Sequence, residues 1–108
     1  MEYNQYKCVA GGAIMDILDK YAHDYIKRTF KIKNCLFTKH AEFHFEHQMC
    51  DHKRGVFQVR SCNETKLYTT LYDIHIVIVD KDNEEFEYAS ANLIFVEKDH
   101  AYCDTKGE

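Results

Sequence analysis

The stretch Gly11-Gly12-Ala13-Ile14-Met15-Asp16-Ile17-Leu18-Asp19-Lys20-Tyr21-Ala22-His23-Asp24-Tyr25-Ile26-Lys27-Arg28-Thr29-Phe30 decides how the rest of the chain has to be arranged. From Ala13 onward the apolar Ile14, Leu18, Tyr21, Ala22, Tyr25 and Ile26 recur at helical spacing, and Asp16, Lys20, His23 and Lys27 fall on the opposite face. The spacing predicts an amphipathic helix over about residues 12–30, roughly five turns. That is longer than the common helix of about three turns, long enough to run across a whole sheet.

Past a polar turn at Lys31 to Asn34 the period drops from helical to two. Ala41, Phe43 and Phe45 share one face, and His40, Glu42, His44 and Glu46 share the other, which reads as a half-exposed strand. Further strands are expected at Val56 to Arg60, Leu67 to Val79 and Phe86 to Val96, so that strands occupy about residues 36–97. Turn-prone segments lie between them at Asp51 to Gly55, Cys62 to Thr65 and Asp80 to Glu84, and such short connectors imply antiparallel neighbours. Ile74, Ile76 and Ile78 with Val77 and Val79 suggest a central strand covered on both faces. The sequence contains no proline, which leaves strands free to be long. One helix followed by four strands excludes a doubly wound parallel sheet, since that needs alternation. The expected class is α+β, a long central helix wrapped by a curved antiparallel sheet, in a single domain over 1–108 with a short segment at 1–10 and a frayed tail at 99–108.

The totals narrow the function classes. A formal net charge of −4, with no basic run beyond Asp51-His52-Lys53-Arg54, argues against nucleic acid as a partner. No apolar run approaches the roughly 20 residues that span a bilayer, and the first residues lack a basic-then-apolar secretion signal. A cytoplasmic protein is expected. Cys8, Cys35, Cys50, Cys62 and Cys103 are odd in number and irregularly spaced, and they read as free thiols.

The most informative segment for chemistry is Asn4 to Asp19. Gly11 and Gly12 open the helix, where free amides and the positive dipole end would receive an anion or a polarised carbonyl. The same pair also reads simply as a tight turn. Asp19 falls on the wheel beside Met15, Ile26 and Phe30, at the edge of the apolar face. Partial burial there would lift its pKa toward a general base, and a boundary aspartate that still reaches water is the plainer alternative. Asn4, followed after six residues by Gly11-Gly12-x-Ile14-Met15-x-x-x-Asp19, resembles the acyl-CoA thioesterases of the hotdog fold.

The resemblance implies a hotdog fold and hydrolysis of an acyl-CoA thioester, with the amide near Gly12 polarising the carbonyl, Asp19 activating water or attacking directly, and Asn4 in support. Gly11 would touch the substrate, and Lys53, Arg54 and Lys66 would meet the phosphates of coenzyme A, which enters as part of the substrate and not as a cofactor. Gly12 and Asp19 are separated by about 10 Å along one helix, too far to address one carbonyl. The site would therefore join two subunits of a homodimer or a dimer of dimers. The alternative is a non-catalytic acyl-CoA or lipid-binding module, motivated by Lys7, Ala10 and the short stretch ahead of Gly11; a structural oligomerisation domain is a third reading. His40, His44, His47, Cys50 and His52 invite a metal, but their spacing fits no familiar zinc pattern, and no metal is expected. Cys50 with His52 as a nucleophile pair lacks an orienting third group.

Overall fold

Residues 3–4 and 8–98 are described by the computed structural model. Helix α1 covers Gly11–Thr29; strands β1 (Cys35–Phe45), β2 (Gly55–Lys66), β3 (Thr70–Asp80) and β4 (Asn83–Lys98) follow, with one 3₁₀ turn at His52–Arg54 before β2. The strands form one antiparallel sheet in the order β1-β4-β3-β2.

Helix α1 begins directly after extended Ala10 with no side-chain cap, and Gly11 and Gly12 are its first two residues. Neither glycine has a left-handed backbone, so the pair belongs to the helix and is not the tight turn that its composition also allowed. At the other end Phe30 N–H donates to the Ile26 carbonyl and Ile32 N–H to that of Lys27, with Lys31 at φ 54° between them. The Ile32 bond is the 6→1 bond of a Schellman-type closure, formed here with Lys31 in place of the usual glycine.

The helix buries Ile14, Leu18, Ala22 and Ile26, each four residues after the last. They meet Tyr72, Ile74, Ile76 and Ile78 of β3 and Ala89, Ala91, Leu93 and Phe95 of β4, which alternate along their strands as one face must. Aromatic contacts extend this layer: Tyr21 stacks on Phe57 with centroids 4.4 Å apart, and Phe30 packs on Tyr72 at 4.9 Å. On the sheet's other face Val77 and Val79 are also buried, so β3 is covered on both sides. There the Arg60–Glu87 ion pair joins β2 to β4 across β3.

The expected hotdog arrangement is not what the chain builds: the architecture is a single helix on a four-stranded antiparallel sheet that makes up most of the structure. The burial pattern supplies the reason. Only a narrow stripe of α1 is fully buried, and its opposite side faces solvent, so the sheet backs the helix without enclosing it. Among the described residues ahead of Gly11 there is an isolated bridge between Tyr3 and Val9, and it lies outside the four-stranded sheet.

Two strand boundaries also move. The Cys62–Thr65 segment, expected as a turn, lies inside β2, paired from Cys62↔Ile74 to Thr65↔Leu71. The reversal falls instead at Leu67–Thr69, where Leu67 is largely and Tyr68 fully exposed to solvent. Polar residues on an edge strand resemble a turn, and an apolar hairpin tip resembles a strand.

The expectation of free thiols fails as well. Cys8 and Cys50 form a disulfide, and Cys35 is disulfide-bonded too; Cys62 is a free, half-buried thiol. Chain reversal makes the first pairing possible, because the segment entering α1 runs beside the loop after β1 and Val9 N–H donates to the Met49 carbonyl at 2.8 Å. The expected frayed tail after Asp99, with Cys103, lies outside the described residues.

Candidate functional site

The start of α1 faces a cavity of about 280 Å³. Asn4 and Val9 of the entering segment, Gly11 and Ile14 of α1, Phe45 at the end of β1, and Glu46, His47 and Gln48 of the following loop line it. The Phe45 ring lies against Gly11, where an added Cβ would sit 3.8 Å from it. Gly12 is open, with nothing within 4 Å of such a position. No side chain caps the helix and its first turn carries no acid, so the leading amides and the positive end of the dipole are left to solvent or to a ligand.

Both walls are held by identifiable bonds. Asn4 Oδ1 accepts from Cys8 N–H at 3.1 Å and Asn4 N–H donates to the Cys8 carbonyl at 2.6 Å. Across the cavity, the amides of Glu46 and His47 both donate to the Tyr88 carbonyl, anchoring the loop to β4. The His47 ring stacks on Phe86 with centroids 4.2 Å apart, and Nδ1 lies 2.9 Å from the Glu87 carbonyl. A carbonyl only accepts, so Nδ1 carries a proton and, in the neutral ring, Nε2 keeps the lone pair.

The residues that the sequence singled out divide into three groups. Asn4 and Gly11 both line this cavity, whereas Gly12, the next helical residue, is exposed and is not part of its lining. Asp19 lies two turns further along α1, half-buried, accepting from Thr38 Oγ1 at 2.7 Å. The same helix thus keeps it about 10 Å from Gly12.

Lys53, Arg54 and Lys66 form no common site. Lys53 and Arg54 precede β2 and Lys66 ends it, a span of roughly 35 Å along an extended strand. Arg54 is moreover engaged: Nε and Nη2 each lie 2.8 Å from an oxygen of buried Asp80, and Nη2 also reaches Asp82 at 2.9 Å. Tyr88 donates its hydroxyl to the same Asp80 carboxylate at 2.6 Å. The Arg54 bonds, then the Tyr88 hydroxyl, hold the Asp80 pKa far below the usual carboxylate range despite its burial, and Asp80 holds the Arg54 guanidinium charged. This is a structural clasp between β2, β3 and β4.

The histidine cluster disperses. His44 Nε2 lies 3.6 Å from Glu42, His52 Nδ1 meets the Tyr3 hydroxyl at 2.6 Å, His47 binds the Glu87 carbonyl, and Cys50 is in its disulfide. Among the described residues no three His, Cys, Asp or Glu side chains are grouped to hold a metal ion, and no helix is long and apolar enough to cross a membrane.

Sequence reasoning missed Phe45, Glu46 and Gln48 as lining residues and gave His47 a different role. Their signal lay in the break of the alternation after Phe45, but nothing local placed that loop opposite Asn4. No protein-family model matches the chain, and no curated protein is significantly similar to it.

Proposed function

We propose that this chain is a small binding domain of an oxidising compartment, which holds an amphipathic molecule at the start of α1 and does not cleave it. The observation that carries the reading is the make-up of the cavity. Val9, Ile14 and Phe45 offer apolar walls to a hydrocarbon, and the uncapped amides of the first helical turn favour a polar or anionic end. A volume of about 280 Å³ suits a short acyl chain better than a whole acyl-CoA.

Thioester hydrolysis has weaker support. Its proposed nucleophile or base, Asp19, is bonded to Thr38 away from Gly12, so a second copy of the chain would have to bring its own Asp19 to the cavity. Lys53, Arg54 and Lys66 do not converge as a phosphate site. The oxidising compartment, in place of the cytoplasm expected above, is supported by the Cys8–Cys50 bond and the disulfide-bonded state of Cys35, because cytosolic thiols are kept reduced.

Titration of the oxidised protein with hexanoate and with hexanoyl-CoA, followed by amide NMR and by detection of released thiol, tests the reading. Saturable shifts at the Gly11, Gly12 and Gln48 amides without thiol release are expected. Steady thiol release that Asp19→Asn abolishes would reinstate the hydrolase, and no saturable shift with either compound would sink the binding reading.

A further inference from the structure

We propose that the end of the sheet opposite the cavity docks on anionic lipid bilayers. Leu67 and Tyr68, the tip of the β2–β3 hairpin, enter the membrane interface, and Lys31, Lys33 and Lys66 meet lipid phosphates. The cavity lies at the start of α1 and this surface at the far end of the helix, so neither reading depends on the other.

The strand register gathers the parts of the surface. Lys66↔Thr70 is the last pair of the β2–β3 ladder, and Leu67 N–H donates to the Thr69 carbonyl at 3.1 Å to close the turn. Leu71 pairs with Val96 and Cys35 with Lys98, so the start of β1 comes level with the hairpin tip. The connection leading into β1 is fixed at the same end: Phe30 packs on Tyr72, Ile32 N–H is bonded to the Lys27 carbonyl, and Asn34 Nδ2 donates to Glu97 at 2.9 Å. Only β4 separates β1 from β3, so the starts of these two strands are roughly 10 Å apart.

Apolar exposure and positive charge coincide here. Tyr68 is fully exposed and Leu67 is 73% exposed, more than any other large apolar side chain among the described residues. Lys31, Lys33 and Lys66 are exposed, and among the described residues none has a carboxylate within ion-pair distance. The carboxylates on these strand ends are turned inward: Glu64 and Glu97 both accept from the buried Tyr72 hydroxyl, at 3.2 and 2.9 Å. At the opposite end of the sheet Asp80, Asp82, Glu84 and Glu85 crowd the β3–β4 turn. A chain with a net charge of −4 thus presents one cationic end with an apolar point.

That combination selects a bilayer over other anionic partners. Tyrosine is favoured at the membrane–water interface, with its ring among the headgroups, and a leucine beside it reaches the acyl boundary. Lysines set back from such a tip lie where the phosphates of an anionic leaflet attract them. A soluble polyanion would use the lysines and leave Leu67 and Tyr68 in water.

Sedimentation of the full chain with vesicles of phosphatidylcholine alone, and of equal parts phosphatidylcholine and phosphatidylglycerol, tests the docking at about 0.15 M salt. Binding is expected with the anionic vesicles only. Lys31→Gln, Lys33→Gln and Lys66→Gln should each weaken it about fivefold, and Leu67→Ser/Tyr68→Ser at least tenfold. These side chains lie outside the core, so the variants should keep the circular dichroism of the wild type. The chain contains no tryptophan, so the emission of Tyr68→Trp reports the tip alone, and a blue shift is expected when anionic vesicles are added. Failure to sediment with anionic vesicles, equal binding to both kinds, or bound protein with unshifted emission would overturn the proposal. So would a serine variant that binds as tightly as the wild type, because a lysine patch alone would serve any polyanion.

Discussion

A methyl group added at Gly12 meets nothing within 4 Å, whereas one added at Gly55 would come 2.7 Å from Met49 Sδ and 2.9 Å from Ile78 Cγ2. Gly12→Ala is therefore expected to raise stability by about 0.5–1 kcal/mol, because it removes backbone freedom from the unfolded chain at a position that is already helical. Gly55→Ala is expected to cost about 1–3 kcal/mol, since Met49 and Ile78 must both yield. Urea denaturation of the two variants checks the opposite signs, and equal effects would show that the surroundings do not matter. In sequence Gly11-Gly12 draws attention and Gly55 looks like one more turn residue; contact across the sheet, which no local pattern records, reverses their importance. Cys62 gives a chemical counterpart. Burial, and then the charge of Asp73, push its thiol pKa up, so alkylation of Cys62 in the folded protein at pH 8 should be slower than in the denatured chain when followed by peptide mapping.

The strands of the second half close on one another through Asp80. Its carboxylate is lowered well below its ordinary pKa by Arg54 and Tyr88, so the stabilisation it supplies is present above the unfolded value near 4. It is lost progressively as pH falls from about 4 through the folded value. Tyr88 behaves in the opposite sense: its bond to Asp80, then its burial, raise its pKa, so its contribution is present below about 10 and lost as pH rises through the folded value. Denaturation curves between pH 7 and pH 2 should show wild-type stability falling more steeply below pH 4 than that of Asp80→Asn; parallel curves would remove Asp80 from the account. Elements were the level at which the sequence was most legible. The helical period of Ile14 to Ile26 and the alternation of Ile74, Ile76 and Ile78 each marked a buried face that the structure contains. What misled was edge chemistry, where Asn63, Glu64 and Thr65 pair as strand residues while Leu67 and Tyr68 form the tip.

At the scale of the molecule, the Cys8–Cys50 bond closes a loop with a sequence separation of 42. Loop-closure entropy predicts that removing it lowers global stability by about 4 kcal/mol, measured as the difference in unfolding free energy between oxidised wild type and Cys8→Ser/Cys50→Ser. A difference near zero would mean that the unfolded chain is already confined without it. Of the eight lining residues, Asn4 and Gly11 stood out in sequence, Gly11 because it opens an evident helix and Asn4 only through the resemblance. Phe45 to Gln48 did not, since their place depends on a disulfide and on hydrogen bonds to β4 that join distant parts of the chain. The strand order carries one more consequence, for the order of events during synthesis. Strand β1 has β4 as its ladder partner, and β4 begins at Asn83, far behind it in the chain. At about 5–20 residues per second, β1 emerges from the ribosome seconds before anything can pair with it, while Cys8 and Cys50 are already both available to join. A translating chain thus passes through an interval in which Phe37, Phe43 and Phe45 have no strand beside them, and pulse-labelled nascent chains halted before Asn83 should engage chaperones that chains carried past Lys98 no longer need.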